Sequence, residues 1–151
     1  MERVMWIVKL ALIGYSLCGY TAPAIADDTL DELNPDQIVS VRITLNPWGA
    51  NLGFETEVNG DDPKVHLLVA VIGEAELSKG HKCANRGAIR FRMEGGGVIS
   101  LGLLPGHTEG FYEFRLYEEG EYVAFFRIER SPFLEALAGL DVPVNGPAFE
   151  E

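Results

Sequence analysis

The chain has 151 residues, with 12 Lys and Arg against 23 Asp and Glu, and a formal net charge of −11 at pH 7. This acidity argues against a nucleic-acid partner, because affinity for nucleic acid depends mainly on neutralising phosphates. It suits a basic protein partner instead, since opposite charges accelerate encounter and disfavour wrong partners.

Residues 1–26 have the composition of a cleaved secretory signal peptide. Arg3 and Lys9 give a positive amino-terminal region, an apolar stretch covers residues 10–20, and Ala24-Ile25-Ala26 has the small-x-small form of a cleavage site. We therefore predict an exported protein, periplasmic or secreted, with a mature chain that starts at Asp27. After cleavage we expect no membrane span.

Two other interpretations of this segment are weaker. An uncleaved anchor is disfavoured by the cleavage site and by the helix-breaking Pro23. Lipidation of Cys18 is disfavoured by the bulky Leu17 before it. Cys83 is then the only cysteine of the mature chain, so an internal disulfide is excluded, and we expect its thiol to be buried.

The mature chain is predicted to be one domain. Arg3, Lys9 and Glu2 leave with the signal, so 10 basic and 22 acidic residues remain and the net charge becomes −12. We expect a polar lead-in over residues 27–37, a β-rich domain over 38–140 and an extended tail over 141–151.

Alternation of apolar and polar residues predicts the strands of an all-β or α+β fold: an antiparallel sandwich or sheet of about seven strands, with one short C-terminal helix. The predicted strands are residues 38–45, 52–58, 64–72, 88–93, 98–104, 111–117 and 122–129. Segment 64–72 is apolar on both faces apart from His66, which predicts a central strand.

The C-terminal half carries the clearest local signals. A hairpin with Glu119-Gly120 as its loop would place Tyr117 opposite Tyr122. Ser131 is predicted to cap the following helix, and Gly139 to end it.

The segment of residues 73–87 is the longest polar interruption between predicted strands. It contains His81, Lys82 and Arg86, a basic island on an acidic protein, and we expect a solvated loop that contacts a partner. His81 and Cys83 are too close in sequence to form a metal site or a nucleophile–base pair without distant partners. We therefore predict neither metal, cofactor nor catalytic site.

Charged and aromatic residues fall on one parity of the predicted strands. This pattern is typical of a recognition surface, but it also fits an exposed sheet face closed by ion pairs. The residues are Glu55, Glu57, Arg90, Arg92, Phe111, Glu113, Arg115, Tyr117, Phe125, Arg127 and Glu129.

These features predict a non-enzymatic protein-binding domain, of the kind that inhibits or confers immunity to a secreted enzyme or toxin. An acidic hairpin tip with an aromatic anchor would enter the partner's cleft. The predicted contact residues outside the basic island are Trp48, Tyr117, Glu118, Glu119 and Glu121. The alternative is a carbohydrate-binding or envelope-structural domain that uses Trp48 and the exposed aromatic residues.

Overall fold

The computed structural model describes residues 30, 32–46, 53–105, 108–146 and 148–149. Over these residues the chain forms seven strands and two α-helices. The strands are β1 Ile38–Leu45, β2 Phe54–Asn59, β3 Glu76–Ser78, β4 Gly87–Met93, β5 Val98–Leu103, β6 Phe111–Glu118 and β7 Glu121–Glu129. The helices are α1 Pro63–Ile72 and α2 Arg130–Gly139. Neither helix is long and apolar enough to cross a bilayer.

All seven strands belong to one antiparallel sheet, in the order β2-β1-β4-β5-β6-β7-β3. The prediction of a mostly β protein with a seven-stranded antiparallel sheet and a C-terminal helix is confirmed. Apolar side chains of the strands cover one face of the sheet, and that face carries the core. Its fully buried side chains include Val41, Ile43, Ile89, Phe91, Leu101, Phe114 and Phe126.

The predicted central strand over residues 64–72 is wrong, because this segment forms α1. Pro63 occupies the first turn, and the Asp62 carboxylate accepts a hydrogen bond from the Lys64 backbone N–H at 2.8 Å. The buried residues follow helical spacing: Val65, Leu68, Val69 and Ile72. Within this segment, residues at both odd and even positions are apolar, as they are in a strand that is buried on both faces. The N-terminal cap and the helical spacing of the buried residues instead specify a helix.

Helix α2 packs against α1, β6 and β7. Phe133 is fully buried, and its ring centroid lies 5.4 Å from that of Tyr112 on β6. The predicted cap at Ser131 is wrong, because the helix begins at Arg130 and the Ser131 hydroxyl lies 3.3 Å from the Glu135 carboxylate. The predicted end at Gly139 is confirmed.

The C-terminal residues, predicted to be an extended tail, turn back onto the core in their described part. Val142, Ala148 and Phe149 are buried, and the Phe149 ring lies 5.6 Å from that of Tyr112. The Tyr112 hydroxyl donates a hydrogen bond to the Ala148 carbonyl at 3.3 Å. Burial raises the pKa of Tyr112 well above its usual value.

Candidate functional site

The chain wraps around the sheet between β2 and β4. Strand β2 lies at one edge and β3 at the other, with α1 between them on the core side. The residues after β3 then return across the opposite face to β4 in the middle of the sheet. We call residues 79–86 the strap, and the sheet face beneath it the open face, which carries the outward side chains of the strands.

Arg115 of β6 anchors the strap. Its guanidinium donates hydrogen bonds to the Asn85 side-chain oxygen at 2.8 Å and to the backbone carbonyls of His81 at 3.1 Å and Cys83 at 2.5 Å. The guanidinium carbon also lies 5.2 Å from the centre of the Phe125 ring, within the range of a cation–π contact. A single side chain therefore holds three residues of the strap.

Glu113 of β6 provides a second anchor and is only 7 % exposed. One carboxylate oxygen accepts a hydrogen bond from the Ser78 hydroxyl at 2.7 Å, and the other lies 3.0 Å from His81 Nε2. In a serine–histidine–acid triad the imidazole lies between hydroxyl and carboxylate, whereas here the carboxylate lies between the other two. This geometry suits fastening of the strap rather than activation of the hydroxyl.

The prediction of a solvated loop over residues 73–87 is therefore wrong, because long-range contacts to β6 hold this segment on the sheet. His81 is half-buried against Glu113, and Lys82 is exposed. Arg86 is half-buried, and its backbone N–H donates to the Leu103 carbonyl at 2.7 Å. Of the three basic residues of the predicted island, only Lys82 is exposed.

The predicted hairpin is confirmed in detail. Glu119 and Gly120 form its two-residue loop with φ of 49° and 87°, and Tyr117 pairs with Tyr122. These two rings meet edge to face at 6.3 Å. Tyr122 is 53 % exposed and also contacts the Phe125 ring at 5.4 Å.

Three acidic residues surround this loop, at what we call the hairpin tip (Glu118–Glu121). Glu118 and Glu121 are directly opposite each other in the register, and both are exposed. Glu119 has a structural contact, since its carboxylate accepts a hydrogen bond from the Val98 backbone N–H at 2.7 Å. Of the three acidic residues predicted to contact a partner, Glu119 is thus the one whose carboxylate bonds the backbone of β5.

A cleft of about 410 Å³, the acidic cleft, lies between the hairpin tip and the segment before β1. Glu32, Glu118 and Glu119 are its charged lining residues. Glu32 lies in the polar lead-in and was not predicted to be a site residue. Nothing local in the sequence signals this proximity, because it results from the position of the lead-in beside β5.

The charged residues predicted to share a face do lie on the open face. Its arginines are Arg42, Arg90, Arg92, Arg115 and Arg127. Arg42 pairs with Glu55, Arg127 pairs with Glu76, and Arg92 donates to the Ser40 hydroxyl. Within the described residues, the exposed Arg90 side chain has neither an ion pair nor a hydrogen bond.

Arg90 borders a second cleft of about 390 Å³, which we call the open-face cleft. Small residues of adjacent strands, Ala88, Ser100 and Gly102, line it. Tyr117 and the strap residue Asn85 also contribute, and none of its lining residues is acidic. The alternation of residues along β4 predicts Arg90 on the outward face, but it does not predict the cleft, because the cleft depends on where the strap crosses the sheet.

Two predicted features lie outside the described residues: Trp48 and the signal segment 1–26. Among described His, Cys, Asp and Glu residues, no group of three is placed to hold a metal ion. Comparison with protein-family models, curated proteins and solved structures gave no match for this chain.

Proposed function

We propose that this protein is an exported, non-enzymatic protein-binding domain that masks a basic partner, as an inhibitor or immunity-type protein masks a secreted enzyme or toxin. The observation that carries this proposal is the hairpin tip, where exposed carboxylates adjoin the exposed Tyr122 ring. Aromatic residues flanked by charge are the usual anchors of protein interfaces. The composition of residues 1–26 supports export.

The arrangement of charge at the tip supports a role in binding over a role in folding. Glu118 and Glu121 are cross-strand partners, and like charges directly opposite each other destabilise a hairpin. A Lys or Arg of a bound protein would relieve this repulsion. Contact with a positive charge would therefore lower the electrostatic energy of the tip.

The acidic cleft supports the same class of partner. Its Glu32 and Glu118 are exposed, so a basic side chain that enters the cleft would meet two carboxylates in addition to Glu119. The predicted mature charge of −12 would attract such a partner over a longer range, and this attraction would weaken with salt.

The test is an affinity capture with three baits from the cell's envelope and secreted fractions. The baits are the mature chain, a Glu118→Lys/Glu121→Lys variant and a control, Glu109→Lys/Glu135→Lys, with the same charge change at exposed positions away from the tip. We expect one basic protein to bind the mature chain and the control, to elute at high salt, and to be lost from the tip variant. Equal capture by all three baits, or no capture, would contradict the proposal.

A second candidate function is carbohydrate binding, and the open-face cleft favours it. Tyr117 offers an aromatic surface, while Ser100 and Asn85 offer a hydroxyl and an amide for hydrogen bonds with sugar hydroxyls. Pockets of this size hold small ligands. Binding of a neutral sugar would hardly change with salt, which separates this candidate from the first.

A further inference from the structure

We infer that the open-face cleft binds a sugar acid, with the carboxylate of the sugar on Arg90. This inference rests on the second candidate function and names its ligand class. Gly120 of the hairpin tip also lines this cleft, but the inference requires neither the carboxylates of the tip nor a protein partner.

Arg90 differs from the other arginines of the open face in its contacts. The other four arginines of the open face each contact a carboxylate, a hydroxyl or a carbonyl group, but within the described residues the Arg90 guanidinium has no such partner. In the register, Arg90 is directly opposite Arg42, and a like-charge pair of this kind is unfavourable for the sheet. An anion bound at Arg90 would remove this cost.

The local charge of the open-face cleft also favours an anion. The whole chain has 23 acidic residues, yet the open-face cleft is lined by one arginine and otherwise by uncharged residues. A planar guanidinium recognises a carboxylate through two parallel hydrogen bonds. The cleft therefore selects an anionic ligand on a protein that would otherwise repel one.

The position of the cleft within the sheet favours a sugar acid over a peptide. Extended peptides bind at sheet edges, and peptide carboxylates are usually captured by free backbone N–H groups. The floor of the cleft consists of β4, β5 and β6, each paired with strands on both sides. Recognition must therefore come from side chains: Arg90 for the carboxylate, and Ser100, Asn85 and Tyr117 for a hydroxylated ring.

The absence of a side chain at Gly102 determines the position of Asn85 at the cleft. Gly102 is buried, and a Cβ added there would lie 2.5 Å from the Asn85 side-chain nitrogen. The glycine thus leaves space for the Asn85 side chain to pack against β5, where Arg115 donates a hydrogen bond to the Asn85 side-chain oxygen. The amide is consequently oriented at the cleft before a ligand arrives, which lowers the entropic cost of binding.

The experiment is a titration of the ¹⁵N-labelled mature chain with glucuronate, with glucose as the neutral control and an acetylated dipeptide as the carboxylate control. We expect saturable shifts of the Ser100 and Gly102 amides with glucuronate only. Arg90→Gln keeps one amide donor but loses the charge and one of the two hydrogen bonds, so it should raise the dissociation constant about tenfold. Arg92→Gln, on the same strand and face, should leave it unchanged, and both variant spectra should show a folded chain.

Each alternative outcome is decisive. Equal shifts with glucose and glucuronate, or no effect of Arg90→Gln, would overturn the sugar-acid inference while leaving carbohydrate binding in place. Shifts with the dipeptide that match those with glucuronate would replace it with a general carboxylate site. No saturable shift with any probe would reject both this inference and the second candidate function.

Discussion

Replacing Arg115 by Ala should release the strap. The side chain makes three hydrogen bonds to Asn85, His81 and Cys83, and stacks over Phe125. A net value of about 1 kcal/mol for each hydrogen bond, and about 0.5–1 kcal/mol for the cation–π contact, gives an upper value near 4 kcal/mol. Because water can reach part of this site, we expect the free energy of unfolding to fall by about 2–4 kcal/mol.

Arg127→Ala is the matched control for this variant. Arg127 lies on the same face in the adjacent strand, and its guanidinium is 4.9 Å from the Phe111 ring centre. Its other contact is an ion pair with Glu76, in which the Arg127 side chain is 43 % exposed and the Glu76 side chain is 65 % exposed. Such a pair contributes about 0–1 kcal/mol. The difference between the two variants therefore isolates the hydrogen bonds to the strap.

Urea denaturation gives the free energy of unfolding, and native-state hydrogen exchange reports on the strap itself. The Gly80 amide donates a hydrogen bond to the Ser78 hydroxyl at 3.2 Å. We expect Arg115→Ala to increase hydrogen exchange at this amide, while the amides of β4 and β5 stay protected. A loss no larger than that of Arg127→Ala, with unchanged exchange in the strap, would refute the reasoning.

Three further predictions concern single positions. Glu121→Lys should raise the free energy of unfolding by about 0.5–1 kcal/mol, because it replaces a like-charge pair with Glu118 by an opposite one; thermal denaturation would show this as a higher midpoint. Gly80→Ala should destabilise by about 1–3 kcal/mol in urea, because φ is 64° and a Cβ would overlap a β7 ring. Because burial raises the pKa of Tyr112 above its unfolded value, the stability contribution is complete below pH ~10 and is lost at higher pH. Urea titrations should therefore show an alkaline loss of stability that is smaller in Tyr112→Phe.

The sheet was predictable because its information is local. Alternation along each strand indicates which side chains are buried, and the Glu119-Gly120 loop fixes the register of the hairpin as far as the Tyr117–Tyr122 pair, beyond which a bulge shifts it by one residue. Helix α1 was missed because its β-branched, apolar sequence has the composition of a buried strand. The signal that identifies it is the cap at Asp62-Pro63, which competes with that composition.

The candidate sites were predictable only in part. The acidic tip and Tyr117 follow directly from the hairpin sequence. The strap could not be predicted, because its residues are held by Glu113 and Arg115, which lie 30 or more positions away in the chain. Both clefts are formed by segments that are distant in the chain. The local sequence pattern therefore indicates individual exposed residues, but not which of them line the same cleft.

The central claim is that the hairpin tip contacts a basic partner, and in-cell photocrosslinking tests it most directly. A photoreactive phenylalanine analogue would replace Tyr122, which is exposed at the tip, or Leu67, which is 58 % exposed on α1 and serves as the control. We expect irradiation to give one discrete adduct from position 122, containing a basic protein of the envelope or secreted fraction, and no matching adduct from position 67. The same adducts from both positions, or none from position 122, would contradict the account.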